Sequence, residues 1–347
     1  MQIRITKIFL VVFIAAYFPV SCNDPGHSKI LAARTDTPSY KLVRNWPLPA
    51  IGIPLSQPSG LGIDSAQNIF VFNRTGRTWT EPFPDSVISA NTILLLDRNS
   101  GKLLNSWGAN LFIMPHGLTV DGYNQVWVTD VGLQQVFKFD HEGKLLMTLG
   151  MAKIPGDDSL HFNRPTDVAV SKDGSFYVSD GYRNSRIVKF SAAGKYLFSW
   201  GRKGSKQGEF NLPHAIDLDS SGNVWVADRE NNRIQVFNSS GKFIKQLQYP
   251  GFSNLYSITI EKRSQQLFAI DFLSVLSLVD KGSDIYQIDS YGKILTAFGR
   301  TGNYEGPLCR YHDIAVDHDG NIYVCDILGN QVQKFSRTGK NQKNETN

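Results

Sequence analysis

Between residues 59 and 326 one pattern of apolar and polar positions recurs six times. The segments read SGLGID…NIFVFN from Ser59, HGLTVD…QVWVTD from His116, TDVAVS…SFYVSD from Thr166, HAIDLD…NVWVAD from His214, YSITIE…QLFAID from Tyr256 and HDIAVD…NIYVCD from His312. In five of them the lead residue and the closing Asp or Asn are 14 positions apart, and the segment from Tyr256 has one extra residue in its turn. Each segment alternates apolar and polar, turns at a cluster of Gly, Asn or Gln, and alternates again, which predicts a β-hairpin. Most units continue into a third alternating run (QVFKFD, RIVKFS, RIQVFN, DIYQID, QVQKFS), a Gly-Lys turn and a fourth run such as KLLMTLG or KYLFSWG. Four short strands in each of six units predict an all-β six-bladed β-propeller.

The sixth unit lacks a fourth run of its own. Residues Lys41 to Trp46 (KLVRNW) read like KLLNSW at the end of the first unit, Lys102 to Trp107. The N-terminal segment is therefore expected to pair beside residues 330–336 as the outer strand of blade six. Closing the ring this way removes a sheet edge that would otherwise template aggregation. The expected organisation is a propeller over residues 40–338 followed by a polar tail, 339–347.

Ahead of the ring, Arg4 and Lys7 precede a 13-residue apolar run, Ile8 to Val20. That run is short for a bilayer span and suits a signal-peptide core. It ends in Pro19-Val20-Ser21-Cys22, a partial match to a bacterial lipoprotein cleavage site, with an ordinary secretory signal as the other reading. Residues 1–21 are expected to be a signal peptide and 22–39 a linker. The protein is expected to be exported, either secreted or held at the membrane through lipidated Cys22. Composition adds exclusions. With 36 Lys+Arg against 31 Asp+Glu, the net charge of +5 is small and scattered, so no nucleic-acid partner is expected. Three cysteines cannot form a disulfide framework, although Cys309 and Cys325 are close enough in the hairpin to raise the question of one bond.

The propeller places chemistry. The first strand of each blade lines the central channel, and its lead residue lies at one rim. Three of the six lead residues are histidines, His116, His214 and His312, each 98 positions from the next. Alternate blades set the three imidazoles around the channel axis, which suits a three-His metal site with an open position, Zn²⁺ above all. The bland alternative is three structural histidines bonding to neighbouring blades. Loops after the second strands reach the same rim and bring Arg74, Tyr182 and Arg229. An arginine there clamps a carboxylate, and a tyrosine acts as base if nearby positive charge lowers its pKa from about 10. Each of the three also fits a surface or inter-blade contact. Asp313, one residue past His312, is a candidate ligand for a hard cation such as Ca²⁺ together with backbone carbonyls of the channel. The recurrent Asp130, Asp180, Asp228, Asp271 and Asp326 are expected to cap turns or pair between blades.

The blade pattern resembles NHL repeats. The motifs MPHGLTVD, WVTDVGLQQVFKF, RPTDVAV, SDGYRNSRIVKFS, LPHAIDL and ADRENNRIQVF are similar to those of peptidyl-α-hydroxyglycine α-amidating lyases, in register over nearly the whole propeller. The resemblance implies His116, His214 and His312 as zinc ligands, Tyr182 as catalytic base, and Arg74 and Arg229 as substrate-binding residues. It also implies a structural Ca²⁺ on the Asp313 carboxylate and the backbone carbonyls of Leu61 and Leu118. The sequence departs from the family at Arg310, where a methionine is usual. It also departs at Asn163 and Arg183, which stand where vertebrate enzymes carry a disulfide. No monooxygenase domain of the bifunctional animal proteins is expected in these residues. The function so implied is metal-dependent cleavage of an N-acyl- or peptidyl-α-hydroxyglycine to an amide and glyoxylate, by a monomer. Two alternatives stand beside it: the same chemistry on ureidoglycolate, and a non-catalytic NHL propeller that binds peptide or glycan.

Overall fold

The computed structural model describes residues 39–47, 54–249, 252–275, 279–299 and 309–338. The signal-peptide, Cys22 and tail assignments lie outside these residues, as does the linker ahead of Ser39. Among the described residues there are six four-stranded antiparallel sheets and one two-stranded hairpin, so the six-bladed expectation holds. The inner strands are Pro58–Ile63, Pro115–Val120, Pro165–Val170, Pro213–Leu218, Leu255–Ile260 and Tyr311–Val316. Four begin with proline, at the first strand position where the missing N–H costs no ladder bond.

Burial follows the order of strands. The second strands, such as Val126–Asp130 and Val224–Asp228, are buried along their whole length, because both sheet faces pack against neighbouring blades. The fourth strands, such as Leu145–Leu149, are half exposed. The apolar core is accordingly a ring of separate layers, one at each junction between blades. Phe70, Phe72, Val126 and Val128 fill the layer between blades one and two, and Tyr177, Ile187, Ile216 and Val226 that between blades three and four. The Gly-Lys turns behave as read: Gly143 and Gly241 have φ of 97° and 79°, a left-handed conformation that favours glycine.

Ser39–Leu42 forms the outer strand of blade six, pairing Ser39 with Thr338 and Leu42 with Phe335. Closure by the N-terminal segment is thus as expected, but the strand starts two residues earlier and ends four earlier than the repeat suggested. Val43 still donates to the Lys334 carbonyl at 2.8 Å, and then Asn45 turns the chain at φ 66°. Trp46 leaves the strand and packs edge-on against Tyr323, centroids 5.0 Å apart, in the layer between blades six and one. Blade five also carries an insertion between its second and third strands, the hairpin Leu273–Val275 and Val279–Gly282.

Candidate active site

Every lead residue sits at a β-bulge. In blade two the pairing runs Pro115 with Asp130 and then Leu118 with Val128. In blade four it passes from Pro213–Asp228 to Ala215–Ala227, and in blade six from Tyr311–Asp326 to Asp313–Cys325. The extra residue in each bulge is released from the pleat and its side chain is re-aimed. For His116, His214 and His312 the new direction is the channel axis, and the imidazole centroids lie 4.7–5.0 Å from one another.

All three rings are fixed in the same way. The Nδ1 atom of His116 lies 2.7 Å from the Thr166 carbonyl, that of His214 2.6 Å from the Tyr256 carbonyl, and that of His312 2.7 Å from the Ser59 carbonyl. The acceptor is each time the lead residue of the next blade. Carbonyl oxygens only accept, so Nδ1 carries the proton and Nε2 presents a lone pair to the centre. Burial drives the rings neutral: His116 is pushed down to about 3 by burial and the Arg74 charge, and His214 and His312 fall well below the usual value for the same leading reason. The ligand atoms lie within 4.8 Å of one another, an arrangement able to hold a metal ion.

Tyr182 closes the cluster. Its hydroxyl is 3.0 Å from His116 Nε2 and 3.1 Å from His214 Nε2. A phenol has one proton, so it satisfies only one of these two acceptors, and the cluster keeps an excess of lone pairs that suits a cation. The sequence led us to expect a lowered Tyr182 pKa. The protein alone raises it, because burial outweighs the opposing pull of Arg229, Arg74 and Arg310.

Arg74 is buried beside the histidines. Its Nε donates to the Pro115 carbonyl at 2.9 Å and Nη1 lies 3.5 Å from Gln57 Oε1, while Nη2 is buried with no partner. A shielded guanidinium N–H without an acceptor is costly unless a ligand supplies one. Arg229 is paired with Glu230 at 2.8 Å and stacks 4.7 Å from the Tyr256 ring and 5.8 Å from that of Tyr182. It belongs to the same rim, although much of its charge is already neutralised.

Asp313 points away from the histidines into the channel, where it accepts from Ser257 Oγ at 2.7 Å, Leu61 N at 2.7 Å and Ile314 N at 2.9 Å. Burial pushes its carboxyl up to about 7. Asp167, half-buried beside it, is raised by desolvation and by the Asp313 charge. Leu61, Leu118, Asp167 and Asp313 all line a cavity of about 1070 Å³ that opens on the opposite face. The recurrent acids cap turns as expected: Asp130 accepts the backbone N–H groups of Ile113, Met114, Gly132 and Leu133. Cys309 and Cys325 are both buried thiols, with Cys309 Sγ 3.9 Å from Gln333 Oε1 and Cys325 Sγ 3.7 Å from the Gly60 carbonyl.

The repeat pattern gave no hint of the wall over Tyr182. Residues 74–92, between the second and third strands of blade one, bring Trp79 to 4.8 Å from the Tyr182 ring and Phe83 to 4.8 Å from Trp79. Glu81 clamps Arg164 through two bonds of 2.5 and 2.8 Å, and Arg164 covers Phe83 at 4.6 Å. The only available signal was the length of this insertion, with its Trp, Phe and two prolines.

The comparisons agree with this geometry. The NHL repeat family matches at residues 162–190 and 210–237. A Caenorhabditis elegans protein named "Probable peptidyl-alpha-hydroxyglycine alpha-amidating lyase pgal-1" is 43% identical over 298 residues, covering 80% of this chain and 82% of its own. The chain belongs to the peptidyl-α-hydroxyglycine α-amidating lyase family. A Xenopus laevis peptidyl-glycine alpha-amidating monooxygenase B is 38% identical over 84% of this chain, which spans 35% of that protein's length. Among solved structures, a streptogramin B lyase aligns with a TM-score of 0.56 at 17% identity, over 88% of this chain and 89% of its own, and shows the shared propeller alone. Within the lyase family's propeller, then, this chain brings the three channel histidines, Tyr182, Arg74 and Arg229 to one rim, and sets Asp313, Leu61 and Leu118 deeper in the channel.

Proposed function

We propose that the protein is a metal-dependent lyase that cleaves an N-acyl- or peptidyl-α-hydroxyglycine to an amide and glyoxylate. The observation that carries this reading is Tyr182: its hydroxyl meets two convergent histidine Nε2 atoms beside the unpartnered Nη2 of Arg74. His116, His214 and His312 hold the ion through Nε2. When bound, Zn²⁺ supplies a Lewis acid that favours the ionised form of the substrate hydroxyl. With the ion's charge beside Arg74 and Arg229 favouring its phenolate, Tyr182 would take the hydroxyl proton. Arg74 holds the substrate carboxylate through its free N–H, with Arg229 beside it. As the hydroxyl oxygen becomes the carbonyl of glyoxylate, the carbon–nitrogen bond breaks. Its electron pair leaves on the amide nitrogen, which takes up a proton. Trp79 and Phe83 shield Tyr182 and keep water from a step that consumes none.

A structural Ca²⁺ on Asp313 and the carbonyls of Leu61 and Leu118 belongs to the same proposal. It is supported by two half-buried carboxylates lining the channel cavity, Asp313 and Asp167, whose mutual repulsion a divalent cation would offset. The basic-then-apolar N-terminus supports export, with Cys22 as the lipid attachment site; loss of radiolabelled palmitate incorporation in Cys22→Ser tests that assignment. The activity is tested by glyoxylate release from a panel of N-acyl-α-hydroxyglycines, with ureidoglycolate included, before and after chelation. Release from the acyl compounds that chelation abolishes is the expected result. Release from ureidoglycolate alone moves the substrate assignment, and no release from any compound leaves a binding propeller.

A further inference from the structure

The positive charge at the rim exceeds what one substrate carboxylate can balance. Arg310 lies two residues before His312, and its backbone is pinned by bonds from its N–H to Asp326 Oδ1 at 2.9 Å and from Ile327 N to its carbonyl at 3.1 Å. Its side chain crosses from blade six to blade five. There Nη2 donates to the Tyr256 hydroxyl at 2.5 Å, and the guanidinium lies 4.8 Å from the Phe272 ring and 5.5 Å from the Tyr256 ring. Tyr256 in turn packs against His214 and His312, with centroids 5.1 and 5.8 Å away. The Arg310 Nε is buried and has no hydrogen-bond partner.

Charge pairing separates the three arginines of this rim. Arg229 has Glu230. Neither Arg74 nor Arg310 has a carboxylate within ion-pair distance among the described residues, and each keeps one buried N–H without an acceptor. Arg310 lies close enough to disfavour the Arg74 charge. Aromatic faces and a phenol hydroxyl compensate a desolvated guanidinium only in part. On the lyase reading, Arg74 receives the carboxylate of the hydroxyglycine. Arg310, bonded to the Tyr256 that packs against His214 and His312, is then left for the remainder of the substrate.

We propose that Arg310 is a specificity-determining residue that selects substrates carrying a second carboxylate, on the acyl side of the scissile carbon–nitrogen bond. The inference rests on the lyase reading for the orientation of the substrate. It concerns the substrate class and leaves the chemistry of bond cleavage unchanged.

The test compares N-succinyl-α-hydroxyglycine with its neutral counterpart, in which the distal carboxylate is the primary amide. The full chain is loaded with Zn²⁺, and kcat/KM for glyoxylate release is measured for both compounds in the wild type, Arg310→Met and Arg310→Lys. A charge-assisted hydrogen bond predicts that the wild type favours the acid by roughly 10- to 100-fold. The ratio should collapse toward one in Arg310→Met and survive in part in Arg310→Lys, which keeps the charge and loses the fork. A wild-type ratio near one overturns the proposal, and so does a ratio that Arg310→Met leaves unchanged because both substrates suffer equally. The same two compounds without the α-hydroxyl are then bound by calorimetry. If no glyoxylate appears from either substrate, the lyase reading fails, and the binding ratio of these inert analogues still decides for or against Arg310.

Discussion

Replacing Tyr182 with phenylalanine removes one oxygen and leaves the ring in place. The ring keeps its contact with Trp79 at 4.8 Å and its edge-on packing against His116 at 5.1 Å. What is lost is a hydroxyl that lies 3.0 and 3.1 Å from two histidine nitrogens. On the proposed reading those nitrogens bind the metal and have no need of the phenol, so the change should alter stability by no more than about 1 kcal/mol. The effect on turnover should be far larger. A positioned acid–base group contributes about 10²–10⁴-fold, or roughly 3–5 kcal/mol of barrier. The assay is glyoxylate release under saturating substrate, with metal content of the same preparation measured by mass spectrometry. The expected outcome is full metal occupancy, an unchanged unfolding midpoint, and kcat lower by at least about 100-fold. A Phe variant that turns over within a few-fold of wild type would refute the reasoning. Tyr182 would then be a wall of the pocket, and the hydroxyl proton would have to leave by another route.

Other perturbations probe the parts that hold this arrangement together. His214→Ala should lose metal and glyoxylate release together while the circular dichroism spectrum persists, because the blade layers do not include this side chain; full metal occupancy in the variant would dismiss it as a ligand. Gly117→Ala should weaken metal binding by about 10–100-fold in a competition assay, since a Cβ there collides with the Thr166 carbonyl that orients His116; unaltered affinity would show that this carbonyl does not position the ring. Trp46→Ala should lower unfolding stability by about 3–5 kcal/mol in denaturant titration, because Trp46 is buried in the layer that closes the ring; a loss below about 1 kcal/mol would mean that the closing segment contributes little.

The repeat determined the architecture without help from tertiary contacts. Alternation with period two and turn residues at a fixed offset are local signals, so the blades and the lead positions of His116, His214 and His312 could be read directly. Ring closure was legible for the same reason, since Lys41 to Trp46 and Lys102 to Trp107 carry matching patterns, although the register was not. Where the strand ends depends on the turn at Asn45 and on Trp46 finding Tyr323, a contact between residues 277 apart in sequence. The tertiary structure alone decided the bulge that aims each histidine, because a bulge is a mismatch between two strands and has no signature in either. It alone decided which tautomer each ring adopts, through carbonyls that belong to the next blade. The raised pKa of Tyr182 in the metal-free protein was not legible in the sequence for a related reason. Nearby arginines could be inferred from their slots, but the desolvation that outweighs them comes from Trp79 and the apolar rim cluster, brought there by an insertion outside the repeat. Arg310 is the clearest division: its identity is plain in the chain, and only the fold shows that its charge faces Tyr256 and Phe272 with no acid opposite among the described residues.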